Sequence, residues 1–93
     1  MYYTIEISKS AKKDLLTVPQ YIAKKLLSWV LTIEEQGLRE VMKIPGYHDE
    51  PLKGQREGQR SIRLSRSYRA IYAKRIINDR ETIVILEVHK HDY

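Results

Sequence analysis

Three short segments in the second half of the chain alternate apolar and polar residues, and only a few residues separate them. The segments are 60–64, 68–75 and 82–91, and the turns between them are 65–67 and 78–81. Strands joined by such short turns lie side by side and antiparallel, because a parallel pair needs a crossover of about a dozen residues or more. The pattern therefore predicts a three-stranded antiparallel meander, and such a sheet needs a cover on one face.

The first half of the chain is predicted to supply that cover. Residues 2–7 alternate as a further strand, and Ser8 or Ser10 can cap a short helix that ends before Pro19. A longer helix then continues to Gln36. The order strand, helix, helix, strand, strand, strand predicts an α+β fold, in which two N-terminal helices pack on one face of an antiparallel β-sheet.

Apolar spacing predicts which helix residues face the sheet. In the short helix, Ala11, Leu15 and Leu16 are expected to point inward. The long helix carries two adjoining apolar stripes, and Gly37 is expected to provide a left-handed cap at its end. The stripes consist of Ile22, Leu26, Trp29 and Ile33 and of Ala23, Leu27 and Val30. We therefore expect the long helix to be deeply buried.

Strand side chains alternate between faces, so the sequence also predicts which residues stand away from the helices. Ile62 and Leu64 are expected to point inward, with Ser61 and Arg63 outward. Arg69 is assigned outward because burying an unpaired guanidinium is costly. In the last strand we predict the inward set to be Val84, Leu86 and Val88, and the outward set to be Ile83, Ile85, Glu87, His89, His91 and Tyr93. These assignments predict a basic groove edged by histidines.

The same region holds most of the positive charge of the chain. Residues 51–75 contain eight Lys or Arg and a single acid, Glu57, whereas the whole chain has a formal charge of +5. A local cationic surface on a rigid sheet is typical of proteins that hold a polyanion, since neutralised phosphates release condensed counterions. Nucleic acid is therefore the favoured partner. A solvated sheet edge that discourages aggregation is the alternative, and it accounts better for lysines than for the six arginines of this window.

The composition excludes several classes of protein. Without cysteine, the chain can form neither a disulfide framework nor a thiolate metal site. Three histidines with only Glu87 and Asp92 nearby lack the paired spacing of a zinc site, so neither a metal nor another cofactor is expected. No segment has the pattern of a signal peptide or the ~20 apolar residues of a membrane span. We expect a single cytoplasmic domain over residues 1–93, without membrane association.

Four segments carry a resemblance to a known family. They are the N-terminal strand followed by 8–15 (SKSAKKDL), 50–54 (EPLKG), 58–63 (GQRSIR) and 68–72 (YRAIY), and the terminal segment 89–93 (HKHDY) separates branches of that family. Over nearly its whole length the chain resembles the toxins of type II toxin–antitoxin systems in the RelE/ParE superfamily, most of all the HigB-type and YoeB-type branches. The resemblance implies a single RelE-like toxin domain.

The resemblance also implies an endoribonuclease, an mRNA interferase that enters the ribosomal A site, cleaves mRNA and inhibits translation until a cognate antitoxin silences it. It assigns the arginine of the aromatic-Arg-x-aliphatic-Tyr motif to Arg69 and the basic residue of the preceding strand to Arg63. The general base stays open, because YoeB-type toxins use a glutamate that matches Glu50. HigB-type toxins instead use residues that match Asp92 and Tyr93.

The residue types suit RNA cleavage by attack of the 2′-hydroxyl, which gives a cyclic phosphate. This reaction needs a base for the hydroxyl, cations for the charge on the phosphorane and an acid for the departing oxygen. We expect Arg69 to stabilise the charge, His91 to act as base or acid near neutral pH, and Tyr93 to donate a proton or stack on a base. His89 and His91 can equally be exposed residues at a frayed end. The predicted RNA-binding residues are Lys53, Arg56, Arg60, Arg66 and His89.

Two other functions remain open on the sequence. ParE-like members of the superfamily share the fold and poison DNA gyrase, although they lack the terminal His and Tyr cluster. A non-catalytic module would use the same basic face to bind an acidic partner or nucleic acid. An antitoxin is expected to carry an acidic, amphipathic segment, because a neutral cover would leave the positive charges desolvated and unpaired.

Overall fold

A computed structural model describes residues 4–90, which form a five-stranded sheet and three helices. In chain order, the strands are β1 (Thr4–Ile7), β2 (Glu50–Pro51), β3 (Gln59–Arg63), β4 (Tyr68–Ile77) and β5 (Arg80–Lys90). The helices are α1 (Lys9–Leu15), α2 (Gln20–Gln36) and α3 (Leu38–Val41), and 3₁₀ turns cover Pro45–Tyr47 and Gly54–Arg56. The predicted α+β fold class is confirmed. Within residues 4–90, no helix is long and apolar enough to cross a membrane.

The sheet is mixed, with the strand order β1-β5-β4-β3-β2. Strands β2 to β5 pair antiparallel as neighbours, whereas β1 runs parallel to β5, with Ile5 opposite Ile83 and Ile7 opposite Ile85. The predicted antiparallel pairing is therefore wrong for β1, and β2 was not predicted. A parallel pair is possible here because the long connection through the helices and the meander brings β5 back in the direction of β1.

Ser8 lies between the end of β1 and the start of α1. Its Oγ accepts a hydrogen bond from the Ala11 N–H at 3.0 Å, which caps the helix, and donates one to the Leu86 carbonyl at 2.8 Å. In the last turn of α1, an Asp14 carboxylate oxygen accepts a hydrogen bond from the Val88 N–H at 3.0 Å. These bonds hold α1 beside β5, beyond the point where β1 stops pairing.

The long helix buries one apolar stripe, where two were predicted. The buried residues of α2 are Ile22, Leu26, Trp29 and Ile33, which confirms the first stripe. On the adjoining stripe Leu27 is 56% exposed, and Leu16 after α1 is 86% exposed, so their predicted burial is wrong. A helix lying on a sheet buries a single stripe unless a further layer covers it. Gly37 has φ 89° and ψ 152°, so it joins α2 to α3 outside the left-handed helical conformation.

A β-bulge in β5 reverses the predicted register of its first half. Leu86 is an extra residue between the positions that pair with Ile71 and Tyr72 of β4. The core residues of β5 are therefore Ile83, Ile85 and Val88. The predicted inward positions of Val84 and Leu86 are wrong, because strict alternation holds only up to a bulge.

The core lies between the helices and one face of the sheet. Trp29 from α2 packs on Tyr72 from β4, with the ring centroids 4.9 Å apart and the planes at 54°. Ile62 and Leu64 are buried in this core, as predicted. Arg69 neighbours the core residue Ala70 in the extended strand β4, so it lies on the opposite face, also as predicted. That opposite surface is called the helix-free face below.

Candidate functional site

Two arginines and a histidine form one row across the helix-free face. Arg63 on β3 lies opposite Arg69 on β4, which in turn lies opposite His89 on β5. Residues opposite each other in antiparallel strands share a face, with Cβ atoms ~4.5–5.5 Å apart. Arginines held this close repel each other, and an anion between them converts the repulsion into two charge-assisted hydrogen bonds. The row of Arg63, Arg69 and His89, here called the arginine row, is therefore suited to a phosphate.

Ser61 connects the arginine row to the edge strand β2. Arg69 Nη1 donates a hydrogen bond to Ser61 Oγ at 3.0 Å, and Ser61 is buried. Glu50 of β2 lies opposite Ser61 in the antiparallel ladder and is itself exposed. Because opposite residues share a face, the Glu50 carboxylate stands on the helix-free face next to the arginine row.

Arg63 carries a buried donor that lacks a partner. Its Nε makes no hydrogen bond with any residue in the described range 4–90. An unsatisfied buried donor costs roughly 1–3 kcal/mol. Because this Nε is shielded from solvent, an anion bound at the arginine row reaches it only after the Arg63 side chain turns.

Glu87 on β5 forms an ion pair with Arg56, which lies in the loop before β3. Arg56 Nη2 lies 2.6 Å from Glu87 Oε2, and His89 Nε2 lies 3.9 Å from Glu87 Oε1. Since β4 and β3 separate β5 from that loop in the sheet, the Arg56 side chain extends over the helix-free face. Both partners of the pair are partly exposed, so the ion pair is weak enough for a phosphate to compete with Glu87 for Arg56.

The remaining predicted site residues are only partly within the described range. Lys53 and Arg66 are exposed in the loops on either side of β3. His91, Asp92 and Tyr93 lie outside the described residues. The last described residue, Lys90, pairs with Tyr68 at the end of the sheet that holds the arginine row.

Arg60 does not lie with the other predicted RNA-binding residues. It stands on the helix side of the sheet, where its Nε donates a hydrogen bond to Asp49 Oδ1 at 2.5 Å. The Tyr72 hydroxyl donates to Asp49 Oδ2, also at 2.5 Å, and only 1% of the Asp49 side chain is exposed. The prediction that Arg60 contacts RNA is therefore set aside, because its charge is already matched by a buried carboxylate.

Burial and Asp49 together shift the pKa values of Arg60 and Tyr72. Burial lowers the pKa of the Arg60 guanidinium, but its hydrogen bond and charge attraction to Asp49 outweigh that effect, so the pKa is raised. Burial first, and then the hydrogen bond to Asp49, raise the pKa of the Tyr72 phenol far above its usual range. Both donors therefore stay protonated at neutral pH and hold the Asp49 carboxylate between them.

The described residues contain no metal-binding cluster. From residue 4 to residue 90, no group of three His, Cys, Asp or Glu side chains is close enough together to hold a metal ion. The functional groups that the geometry does bring together on the helix-free face are Glu50, Arg56, Ser61, Arg63, Arg69, Glu87 and His89.

A comparison with protein families decides the classification of this basic, layered domain. The model described as the ParE toxin of type II toxin-antitoxin systems, parDE, matches residues 5–92. The chain belongs to this toxin family. The resemblance to the RelE/ParE superfamily that the sequence motifs carried is thereby confirmed. No curated protein matches the chain.

Solved structures agree with the fold of this toxin. The YafQ toxin in the Escherichia coli DinJ–YafQ complex superposes with a TM-score of 0.73 at 20% identity, over 98% of this chain and 94% of that one. The YoeB/ParE toxin from Agrobacterium tumefaciens gives 0.70 at 16% identity, over 96% and 99%. RelE in the archaeal RelE–RelB complex from Pyrococcus horikoshii gives 0.69 at 22% identity, over 97% and 96%. At these identities the likeness establishes the fold alone.

Sequence reasoning missed three residues that shape the site of this toxin. Ser61 and Glu87 were predicted to point outward but were given no role in the site, and Asp49 was not among the predicted site residues. The signal for Glu87 was present, since it lies two positions from His89 in one strand. Nothing local to Asp49 indicated its partners, which come 11 and 23 residues later in the chain.

Proposed function

We propose that this toxin is an endoribonuclease that cleaves mRNA on the ribosome. The observation that carries the proposal is the juxtaposition of Arg63 and Arg69 on the helix-free face, with the exposed carboxylate of Glu50 beside them. Paired arginines bind a phosphate bidentately and stabilise the negative charge that develops on it. A carboxylate next to that phosphate can take a proton from the neighbouring 2′-hydroxyl.

The proposed reaction is an in-line transfer within the RNA. The 2′-oxygen attacks the adjacent phosphorus while Glu50 takes its proton, and the bond from phosphorus to the 5′-oxygen breaks. The products are a 2′,3′-cyclic phosphate and a fragment with a 5′-hydroxyl, whose oxygen receives a proton from a general acid. We assign that acid to His91, since imidazole exchanges protons near neutral pH, with Tyr93 and Asp92 as further members of the same tail.

The arginine row is proposed to act on the transition state. Charge accumulates on the two non-bridging oxygens as the phosphorane forms, and donors fixed in advance stabilise it at no reorganisation cost. Arg69 is held in place by its hydrogen bond to Ser61 at 3.0 Å, and the buried Nε of Arg63 has no protein acceptor within the described range. Lys53, Arg56 and Arg66 are proposed to contact neighbouring phosphates from the loops.

A cognate antitoxin is the proposed protein partner. Two of the structurally similar toxins, YafQ and archaeal RelE, come from complexes with DinJ and RelB. An antitoxin that covers the arginine row must supply carboxylates to it, because two arginines buried without anions would be destabilising. We therefore propose an acidic segment of the antitoxin as the inhibitor of the site, and a cytoplasmic location in common with the ribosome.

Poisoning of DNA gyrase is the second candidate function. One specific observation favours it, namely that the matching family model is described by the ParE toxin of parDE. That activity would need the basic surface only for binding and would not depend on a base beside the arginines. The two candidates therefore differ in what the loss of Glu50 does.

Cleavage of message by purified toxin tests the proposal. The toxin is mixed with ribosomes carrying a defined mRNA, and primer extension maps any cuts, while a parallel reaction follows supercoiling by gyrase. We expect cuts with the wild type, no cuts with Arg69→Ala, and wild-type cutting with Arg39→Ala, an exposed arginine on α3. Intact message together with stalled gyrase would overturn the proposal in favour of the second candidate.

A further inference from the structure

The buried carboxylate of Asp49 immediately precedes the proposed base, Glu50. Its two oxygens are both used, one by Arg60 Nε on β3 and the other by the Tyr72 hydroxyl on β4, at 2.5 Å each. Tyr72 is in turn fixed by its contact with the ring of Trp29. Asp49 is therefore anchored to two central strands and to the core beneath them.

The anchor determines where the next residue points. Arg60 and Tyr72 are opposite each other on the helix side of the sheet, whereas Glu50 is opposite Ser61 on the helix-free face. At this edge of the sheet, the carboxylates of Asp49 and Glu50 therefore lie on opposite faces. Ser61 receives the Arg69 hydrogen bond, so the residue opposite Glu50 is the one that also touches the arginine row.

Besides the Asp49 anchor, only a short ladder with β3 holds Glu50: it pairs with Ser61, and the Leu52 N–H donates to the Gln59 carbonyl at 2.9 Å. Strand β2 has two residues, and the second of them, Pro51, has no N–H to donate to the ladder. On its other side, His48 has a left-handed conformation with φ 45° and ψ 52°, which is uncommon for a residue with a side chain. An exposed carboxylate on such a short edge strand needs an anchor if it is to keep a fixed position.

We propose that Asp49, gripped by Arg60 and Tyr72, is a positioning residue that fixes the Glu50 carboxylate beside Ser61 and Arg69 for proton transfer. The inference rests on the proposed function and adds to it a part of the catalytic apparatus on the other side of the sheet. Asp49 itself does not touch the RNA. It acts through the backbone that it shares with Glu50, because reacting groups must be held within a fraction of an ångström of their working positions.

A double-mutant cycle between Tyr72 and Glu50 tests this role. Tyr72→Phe removes one hydrogen bond to Asp49 and keeps the ring that packs on Trp29. Single-turnover cleavage of ribosome-bound mRNA is measured for the wild type, Tyr72→Phe, Glu50→Ala and the double variant. We expect Tyr72→Phe to lower the maximal rate about 10-fold, to leave the half-saturating toxin concentration unchanged, and to have less than about a two-fold effect once Glu50 is alanine.

A stability control and the rates measured with and without Glu50 decide between the possible outcomes. Ile33→Val loses a buried methyl group in the core of α2, and it controls for a general loss of stability; we expect its cleavage rate to equal that of the wild type. Equal rate losses from Tyr72→Phe with and without Glu50 would overturn the positioning role while leaving the proposed function intact. A wild-type toxin that cuts no message would overturn the function and, with it, this inference.

Discussion

At the scale of single residues, the site depends on the shape of Arg69 as well as on its charge. The Arg69 guanidinium donates to Ser61 and still has donors for a phosphate, whereas the ammonium of lysine has no planar fork. We expect Arg69→Lys to cut message roughly 100-fold more slowly than the wild type, since lost transition-state donors have effects of about that size. Single-turnover cleavage measures it, with Arg39→Lys as the matched control; an Arg69→Lys toxin of wild-type rate would contradict the assigned role.

The Asp49 group gives a second prediction at this scale, for stability at high pH. The pKa of Tyr72 is raised in the folded protein above the usual value of 10.0, so the folded state favours the protonated phenol. Stability from this group is therefore complete below about pH 10 and is lost as the pH rises above it. We expect thermal unfolding temperatures of the wild type to fall more steeply above pH 10 than those of Tyr72→Phe, as scanning calorimetry would show. Parallel curves for the two proteins would contradict the prediction.

The chemistry of single side chains also located part of the site from the sequence. The cost of burying an unpaired guanidinium was enough to place Arg69 on the helix-free face. Arg60, predicted to bind RNA, instead has a buried partner, Asp49, 11 residues earlier in a loop. A single sequence cannot reveal such a pair, since both residues are of types that are usually exposed.

At the scale of elements, the Ser8 side chain both caps α1 and bonds it to the sheet. Ser8→Ala removes both the N-cap bond to Ala11 and the bond to the Leu86 carbonyl, so we expect it to lower the free energy of unfolding by about 1–2 kcal/mol. Ser10, the other predicted cap, is exposed within α1, and Ser10→Ala is expected to have little effect. Urea unfolding monitored by Trp29 fluorescence measures both; equal losses would contradict the capping assignment.

The longer elements and the buried stripe of α2 followed from periodicity, but β2, α3 and the register of β5 did not. Ile22, Leu26, Trp29 and Ile33 recur at helical spacing, and only one arrangement buries them together. No glycine or proline at Leu86 indicates the bulge in the sequence. In addition, an apolar run such as 83–86 is compatible with either register. Its position emerges only from pairing with β4, which is a property of the folded sheet.

At the scale of the whole molecule, the arrangement separates stability from function. The described helices cover one face and leave the other for the arginine row, and part of the surplus charge of residues 51–75 lies on that free face, whereas Arg60 lies on the helix side. RNA binding should therefore depend steeply on salt, with a slope of roughly −0.7 for each phosphate contact to single-stranded RNA. We expect Lys53→Ala to reduce that slope by about 0.7, measured by fluorescence anisotropy across a salt series. A slope equal to that of the wild type would show that Lys53 contacts no phosphate.

The parallel pairing of β1 shows what the overall topology adds to the local pattern. Alternation identified residues 2–7 as a strand, yet it contains no information on which edge of the sheet this strand joins or in which direction it runs. Pairing with β5 brings Ser8 and α1 to that strand, next to the bulge at Leu86, where the Ser8 N–H donates to the Ile85 carbonyl. The antiparallel order of the remaining strands was predictable because their turns are too short for any other connection.

If the arginine row and Glu50 act on one phosphate through the neighbouring 2′-hydroxyl, the cut ends must have a defined chemistry. Mass spectrometry of mRNA fragments cleaved on the ribosome by the toxin determines it. We expect a 2′,3′-cyclic phosphate on the upstream fragment, and no cut when the scissile nucleotide carries a 2′-deoxyribose. A 3′-hydroxyl end, or cleavage of the 2′-deoxy substrate, would contradict it.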